Sequence, residues 1–315
     1  GALPAVPCRG DGSDRIRFQV AVNGIAGKTP LFNGGALEYL PGSGSVKALE
    51  NSAARIEFDG IRVRRIVDKK RGSQVLRSSA VSAPLAELTV KKTGDAPAEP
   101  IDLLNAAFEG MRSGGTKEEP ELQFQYSFSN GIRFSPKVRL RKDGQSEWTA
   151  SIETPPGLEV CELAYPVFHG VSLGADPSDD LTFCAETWRQ IWRNAYRRKG
   201  GKMPTSVRFM AMWDAKQGVY LGIEDPRFDD WYFHRSSDGN GGAMMGVTLR
   251  MLAKGASRWE SGICRLALVD GGSWIPAADI ARSYNRAHLK QPDIHPCVKW
   301  LADGWIYPDS SRYPW

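Results

Sequence analysis

Apolar and polar residues alternate with a period of two through most of this chain, and this pattern constrains its fold more than any other feature. Residues 122–128 show it most clearly, with Leu, Phe, Tyr and Phe separated by Gln and Ser. Successive side chains of a β-strand point to opposite faces, so such a run predicts a strand with one buried face. Comparable runs occupy residues 15–22, 55–58, 61–66, 86–90, 137–140, 148–152, 246–251 and 263–269. So many half-buried strands predict an all-β chain of large antiparallel sheets packed as a sandwich.

Two segments break the alternation and predict helices. In residues 185–199, Trp, Ile, Trp and Ala recur at helical spacing, and two glycines follow. Residues 274–289 predict a second helix that closes the domain, because Ser273 suits the N-cap and Pro276 suits the first turn. Residues 101–111 fit a short helix and a strand equally well.

The C-terminal third of the chain carries a characteristic order of elements. Residues 207–213 and 218–225 predict a hairpin joined by the turn 214–217. An acidic, aromatic stretch follows at 229–234, with the sequence Asp-Asp-Trp-Tyr-Phe-His. The segment 272–284, Gly-Ser-Trp-Ile-Pro-Ala-Ala-Asp-Ile-Ala-Arg-Ser-Tyr, then begins the closing helix.

These elements, with Phe-His-Gly-Val-Ser-Leu-Gly at 168–174 and Asp-Asp-Leu at 179–181, resemble the galactose mutarotase-like β-sandwich of large bacterial glycoside hydrolases. Much of that group is described only as a domain of unknown function. The resemblance extends over residues 16–284 and implies a supersandwich that precedes a catalytic barrel. The nucleophile and acid of those enzymes lie on the barrel, so no catalytic residue is carried over to this chain. The chain departs from the pattern at 185–199, where a short Pro/Gly loop would be expected.

True sugar mutarotases resemble this fold as well, and they require a His acid and a Glu base that face the sugar ring. The chain has four histidines, and their surroundings match no such strand motif. His169 is interpreted as a turn histidine, whereas His234 follows the acidic, aromatic stretch and is a candidate for ligand contact. The sequence therefore leaves open whether this chain is itself an enzyme.

Charge and cysteine content exclude several other functions. The net charge of +5 is spread along the strands, and no nucleic-acid-binding motif accompanies it, so we expect no nucleic-acid partner. No apolar run is long enough for a membrane-spanning helix, and we expect no membrane association. The five cysteines lack metal-ligand spacing, so neither a metal site nor a cofactor is predicted. Cys161 and Cys264 are expected to be small buried hydrophobes, and a disulfide through Cys8 or Cys297 remains open.

Carbohydrate is the predicted partner. Sugar rings lie flat on aromatic side chains, and carboxylates accept hydrogen bonds from sugar hydroxyls. Residues of both kinds adjoin in one stretch, which predicts a substrate-binding site at Asp225, Asp229, Trp231, Tyr232 and His234. The alternative interpretation is a packed loop that closes the edge of the sandwich.

The sequence predicts a sandwich domain at residues 1–290 and an aromatic, proline-rich tail at 291–315, the start of a connection to a barrel. Aromatic residues are dense in this tail, at Trp300, Trp305, Tyr307, Tyr313 and Trp315. Such density predicts that the tail packs against the sandwich, against a barrel or against a second copy.

The predicted function is a non-catalytic, N-terminal module of a glycoside hydrolase that takes part in bacterial polysaccharide degradation. The alternatives are a self-sufficient sugar epimerase or lyase and a protein-interaction scaffold. The chain starts without Met, which indicates a processed or recombinant start, and we expect a secreted or periplasmic protein.

Overall fold

A computed structural model of the chain describes residues 31–33, 36–38, 47–59, 62–76, 84–94, 97–174, 180–184, 191–193, 201–204, 208–225, 230–237, 242–254 and 257–288. These residues form 22 strands, one 3-10 turn and one α-helix. The strands of the first half are β1 (Leu31–Asn33), β2 (Ala36–Glu38), β3 (Lys47–Glu50), β4 (Ala54–Asp59), β5 (Arg62–Asp68), β6 (Ser73–Leu76), β7 (Glu87–Lys92), β8 (Glu99–Asp102), β9 (Ala106–Gly115), β10 (Pro120–Phe128), β11 (Arg133–Leu140) and β12 (Ser146–Thr154). Those of the second half are β13 (Leu158–Val171), β14 (Leu181–Cys184), β15 (Ile191–Arg193), β16 (Gly201–Pro204), β17 (Phe209–Trp213), β18 (Gln217–Glu224), β19 (Asp230–Ser237), β20 (Ala243–Lys254), β21 (Ser257–Glu260) and β22 (Ile263–Asp270). The 3-10 turn is Leu103–Asn105, and the helix α1 is Ile275–His288.

The strands form two ten-stranded antiparallel sheets and one small hairpin, β1–β2. The first sheet has the order β15-β14-β17-β18-β22-β12-β11-β10-β9, and β21 also pairs with β12. The second sheet has the order β16-β19-β20-β13-β6-β5-β4-β3, and in addition β7 pairs with β13 and β8 pairs with β7. The all-β sandwich that the alternation predicts is therefore confirmed.

The main core fills the space between the two sheets. Trp148 of β12 is fully buried and contacts Phe168 of β13, with ring centroids 5.0 Å apart. The same indole contacts Phe58 of β4 at 6.0 Å and donates from Nε1 to Ser146 Oγ at 2.9 Å. A buried indole is stable only if its N–H finds an acceptor, and Ser146 supplies one.

Helix α1 covers the outer face of the first sheet and forms a second, smaller core there. Trp274, just before the helix, stacks on Phe183 of β14 with centroids 5.0 Å apart. Ala277 is fully buried against this sheet, since a small side chain lets the helix approach the strands closely. The N-cap position belongs to Trp274, whose carbonyl accepts from the Ala278 amide at 3.0 Å, and Ser273 lies one residue earlier than an N-cap. Its Oγ still accepts a hydrogen bond from the Ile275 amide, the first of the helix, at 3.3 Å.

The hairpin prediction at 207–225 is confirmed, because β17 and β18 pair antiparallel and the Asp214 amide donates to the Gln217 carbonyl at 2.9 Å.

The helix prediction at 185–199 is wrong at Ile191–Arg193, which forms strand β15 against Leu181–Phe183 of β14. A β-branched residue and an indole at a sheet edge favour strand pairing over an isolated helix. The ambiguous segment 101–111 is mostly strand, interrupted by the 3-10 turn.

Several other expectations concern residues outside the described part of the chain. They include the tail at 291–315 with its aromatic residues, Asp229, and the cysteines Cys8 and Cys297. Cys264 is buried and Cys161 is half-buried, and both are free thiols. Within the described residues, no helix is long and apolar enough to cross a membrane.

Candidate functional site

The structure separates the predicted site residues into two groups. Asp225 directly follows β18 and is fully buried, and it accepts a hydrogen bond at Oδ2 from Trp231 Nε1 at 3.1 Å. The indole of Trp231 points into the main core from β19. The Asp225 backbone carbonyl accepts a further hydrogen bond from the Arg208 guanidinium. These two side chains are therefore occupied with each other, and neither faces solvent.

Tyr232 and His234 lie on the opposite face of β19. Trp231 and Phe233 belong to the main core, so the alternation of the strand directs Tyr232 and His234 to the outer face of the second sheet. Both side chains are half-buried. His234 Nε2 is in hydrogen-bond contact with Thr248 Oγ1 of β20. Asp229 lies outside the described residues.

Two charged residues that no local sequence pattern indicated lie beside Tyr232. The Arg250 guanidinium of β20 lies 4.7 Å from the centroid of the Tyr232 ring. Its Nε donates to Glu162 Oε1 of β13 at 3.4 Å. The side chain of Arg250 is 55% exposed and that of Glu162 is 19% exposed, so solvent reaches both.

Strand register explains why these residues meet. Tyr232 is the cross-strand partner of Thr248, which is in turn the partner of Ala164 on β13. Arg250 occupies the next position of the same face and is the partner of Glu162. We call the set Glu162, Tyr232, His234, Thr248 and Arg250 the outer-face cluster. It combines a guanidinium, a carboxylate, an imidazole and a phenol on one face of three adjacent strands.

His169 belongs to strand β13, so its interpretation as a turn histidine is wrong. Phe168 next to it is buried in the main core, and the strand therefore directs His169 toward the outer face of the same sheet. The register of β13 shifts on both sides of Phe168, and this irregularity hides the strand from a simple period-two reading.

The carboxylates on the first sheet are engaged in an internal ionic cluster. Arg265 of β22 donates to both oxygens of Glu224, from Nε at 2.6 Å and from Nη2 at 2.5 Å. It also donates from Nη1 to Gln145 at 3.1 Å and from Nη2 to Glu147 at 3.3 Å. Burial alone would lower the pKa of Arg265, but its hydrogen bonds and the charges of Glu224 and Glu147 raise it above the ordinary value. This cluster stabilises the fold and leaves Glu224 no free oxygen.

A cavity of about 190 Å³ lies at a different place, between the end of β5 and the turn before β12. The guanidinium of Arg71 lines this cavity. It donates from Nη1 to Asp68 at 2.5 Å and also pairs with Asp270. Both Nη groups of Arg71 are thus engaged by carboxylates of the protein itself. Across the described residues, no group of three or more His, Cys, Asp or Glu is arranged to hold a metal ion.

Comparison with known proteins identifies the fold. No protein-family model matches the chain, and no curated protein matches it in sequence. Among solved structures it is similar to an α-N-acetylgalactosaminidase from Bifidobacterium bifidum, with 12% identity and a TM-score of 0.59 over 76% of this chain. It is also similar to an α-mannosidase from Enterococcus faecalis V583, with 11% identity and a TM-score of 0.50 over 79% of this chain.

The chain spans 39% of the length of the N-acetylgalactosaminidase and 32% of the length of the mannosidase. A third similar structure, galactose 1-epimerase from Lactobacillus acidophilus NCFM, has 8% identity and a TM-score of 0.54. The match covers 81% of this chain and 98% of the epimerase. The fold is thus that of the galactose mutarotase-like β-sandwich, which confirms the resemblance drawn from the sequence.

Proposed function

We propose that this chain is a carbohydrate-binding, non-catalytic module of a glycoside hydrolase and that glycan binds at the outer-face cluster. The observation that carries the proposal is the position of Tyr232, His234 and Arg250 on one solvent-reaching face of a fold that sugar-active proteins share. Protein sites for sugars combine apolar rings with a few oriented donors and acceptors. The outer-face cluster offers that combination.

Arg250 supplies the donors of this site. Its Nε is directed to Glu162, and within the described residues its two Nη groups form no hydrogen bond. A planar guanidinium held against an aromatic ring is preorganised, so less side-chain entropy is lost when a ligand binds. The Nη groups can therefore donate to sugar hydroxyl oxygens, while Glu162 accepts from a neighbouring hydroxyl.

Tyr232 contributes in a different way from the stacking platform that the sequence suggests. Arg250 covers one face of its ring, so a sugar would contact the guanidinium, the ring edge and the phenol hydroxyl. His234 lies two positions farther along the same face and extends the site beyond one sugar ring. Asp225 and Trp231 would support the site from inside the core, without contact with the ligand.

The non-catalytic role is supported by the use of the acidic residues. Glycoside hydrolysis by the common mechanism needs two carboxyl groups about 5–10 Å apart on either side of the scissile bond. Glu224 and Glu147 are bound by Arg265, and Asp225 is bound by Trp231. These three carboxylates are engaged in internal contacts and do not form a catalytic pair that faces solvent, which supports a non-catalytic role.

Binding measurements on matched arginine variants test the proposal. Arg250 and Arg258 are both ion-paired and similarly exposed, with 55% and 62% of their side chains in solvent, but Arg258 belongs to the first sheet. In titrations with oligosaccharides of N-acetylgalactosamine, mannose and galactose, Arg250→Ala should weaken binding about tenfold or more. Arg258→Ala should leave the affinity unchanged. Equal affinities of both variants and the wild type would remove the outer-face cluster from consideration.

The length of the encoding gene tests the modular part of the proposal. A reading frame that continues past Trp315 with alternating strand and helix patterns would encode the expected barrel. A stop codon at that point would refute the proposal that the chain is a module of a larger hydrolase. A free-standing sugar-binding protein would then be the remaining form of the proposal.

A second candidate function, sugar epimerisation, is favoured by the match that spans nearly the whole galactose 1-epimerase. Interconversion at C1 needs a base to remove the C1 hydroxyl proton and an acid to protonate the ring oxygen as the ring opens. Glu162 and His234 supply a carboxylate and an imidazole on the same outer face, and we assign the base and the acid of this second candidate function to them. Polarimetry of freshly dissolved α-galactose should show faster mutarotation with the chain than without it. A rate equal to that in buffer excludes this function.

A further inference from the structure

The cavity of about 190 Å³ lies where a turn of the second sheet meets a turn of the first sheet. One turn joins β5 to β6, and the other joins β11 to β12. Its floor is formed by the small, buried side chains of Ala53 and Ala54 and by the half-buried Leu268, and its rim is polar. None of its lining residues belongs to the outer-face cluster, so a ligand of this cavity is independent of glycan binding there.

Each of the two turns is held in shape by the carboxylate of an aspartate. Asp68 Oδ1 accepts from the backbone amides two and three positions later in the chain, at 2.8 and 3.1 Å. In the other turn, Asp143 Oδ1 accepts from the Gln145 amide at 3.0 Å. The cavity walls are therefore fixed before any ligand arrives, which lowers the entropy lost on binding.

Several hydrogen-bond donors of the rim are unused. Lys70 is exposed, and its ammonium has no hydrogen bond or ion pair with any described residue. Arg71 engages both Nη groups with carboxylates, but its Nε donates to no described group. Gln145 accepts from Arg265 at Oε1, whereas its Nε2 has no acceptor in the described part of the chain. A ligand with an anionic acceptor can take hydrogen bonds from these donors.

The charges of the lining cancel. Lys70 and Arg71 contribute two positive charges, and Asp68 and Asp143 contribute two negative charges. Asp270, outside the lining, pairs with Arg71 and adds another carboxylate, so a simple anion meets no net positive charge here. Asp143 Oδ2 has no hydrogen-bond partner among the described residues and can accept from a cationic group. A neutral ligand with separated charges of both signs fits this balance.

The volume limits the size of that ligand. A cavity of about 150 Å³ holds one benzene molecule, so about 190 Å³ in proportion accommodates a molecule of about eight non-hydrogen atoms. Alanine and serine are zwitterions within this limit, whereas tryptophan exceeds it.

We propose that this cavity binds a small zwitterionic α-amino acid. The ligand carboxylate accepts from Lys70 Nζ and Gln145 Nε2, and the ligand ammonium donates to Asp143 Oδ2. The short side chain of the ligand lies on the apolar floor at Ala53 and Ala54. Both charged groups of the ligand are thus paired, as a partly buried charge requires.

Calorimetric titration of the chain with L-serine tests the class of ligand. L-Lactate lacks the ammonium and ethanolamine lacks the carboxylate, so each should bind about tenfold or more weakly than L-serine. L-Tryptophan should not bind, because its side chain exceeds the cavity. Absence of L-serine binding at millimolar concentration overturns the proposal, as does an equal affinity for L-lactate or ethanolamine.

Matched variants test the position of the site. Lys70→Met and Asp143→Asn should each raise the dissociation constant of L-serine about tenfold, and Asn at position 143 retains an oxygen for the turn. Lys117→Met and Glu109→Gln are the controls, since both residues are exposed and neither has an ion pair within the described residues. The controls should bind L-serine like the wild type.

The variant Arg250→Ala separates this proposal from glycan binding, and it should leave the affinity for L-serine unchanged. Circular dichroism verifies that every variant is folded. L-Serine binding that neither Lys70→Met nor Asp143→Asn weakens overturns the assignment of this cavity, as does binding that the control variants weaken equally.

Discussion

The ionic cluster around Arg265 gives the sharpest prediction about stability. The side chains of Arg265 and Glu224 are only 10% and 6% exposed, and they share two hydrogen bonds. Arg265→Met keeps the apolar stem but leaves the Glu224 carboxylate buried without its cation. Loss of one partner of a buried pair costs about 3–5 kcal/mol, so we expect the free energy of unfolding to fall by about 4 kcal/mol.

A second variant separates the cost of an orphaned charge from the contribution of the pair itself. Arg265→Met/Glu224→Leu removes both charges, while Glu147 keeps Arg141 at 2.8 Å. Replacement of a buried ion pair by apolar residues is often close to neutral, so the double variant should lose only about 1 kcal/mol. Arg258→Met breaks an exposed pair and should cost less than about 1 kcal/mol.

Urea unfolding at neutral pH, followed by tryptophan fluorescence, measures these free energies. From most to least stable, we expect the order wild type, Arg258→Met, double variant, Arg265→Met. If Arg265→Met cost no more than Arg258→Met, the cluster would behave as a solvated surface pair, and its assignment as a buried stabilising element would be refuted.

Two further predictions follow from buried titratable groups. Burial, reinforced by the charge of Glu224, raises the pKa of the Tyr220 hydroxyl well above its ordinary value. In the unfolded chain a tyrosine hydroxyl loses its proton at about pH 10. The free energy of unfolding should therefore fall above that pH by up to about 1.4 kcal/mol per pH unit for Tyr220. Urea unfolding of Tyr220→Phe should show a shallower fall with pH. Identical pH slopes for the variant and the wild type would contradict this. Burial also raises the pKa of the Cys264 thiol well above its ordinary value, so iodoacetamide should label Cys264 only after unfolding, which peptide mass spectrometry can verify. Labelling of Cys264 in the folded chain at the rate of a free thiol would contradict its burial.

Local patterns predicted the elements that depend on neighbouring residues. The β17–β18 hairpin follows from alternation and a short turn, and helix α1 follows from the start signals at Ser273 and Pro276. The turn at Asn130-Gly131, a typical hairpin sequence, joins β10 to β11 with a positive φ of 87° at the glycine. Such signals lie within a few residues of each other and need no knowledge of the tertiary fold.

The candidate site was harder to predict, since it depends on contacts between distant strands. Trp231 and Tyr232 are adjacent in sequence, but their strand directs one to the core and the other to the outer face. Alternation within 230–237 could have shown this division once Phe233 was assigned to the core. The pairing of Arg250 with Glu162 joins residues 88 positions apart, and no local pattern contains that information.

Hydrogen exchange with and without bound oligosaccharide tests the central claim, glycan binding at the outer-face cluster, most directly. At saturating sugar, we expect slower amide exchange in β19 and β20, where Tyr232, His234 and Arg250 lie, and in β13 beside them. Helix α1 and the first sheet should exchange at unchanged rates and serve as an internal reference. Protection confined to the first sheet, or no protection in any strand at saturating sugar, would contradict glycan binding at the outer-face cluster.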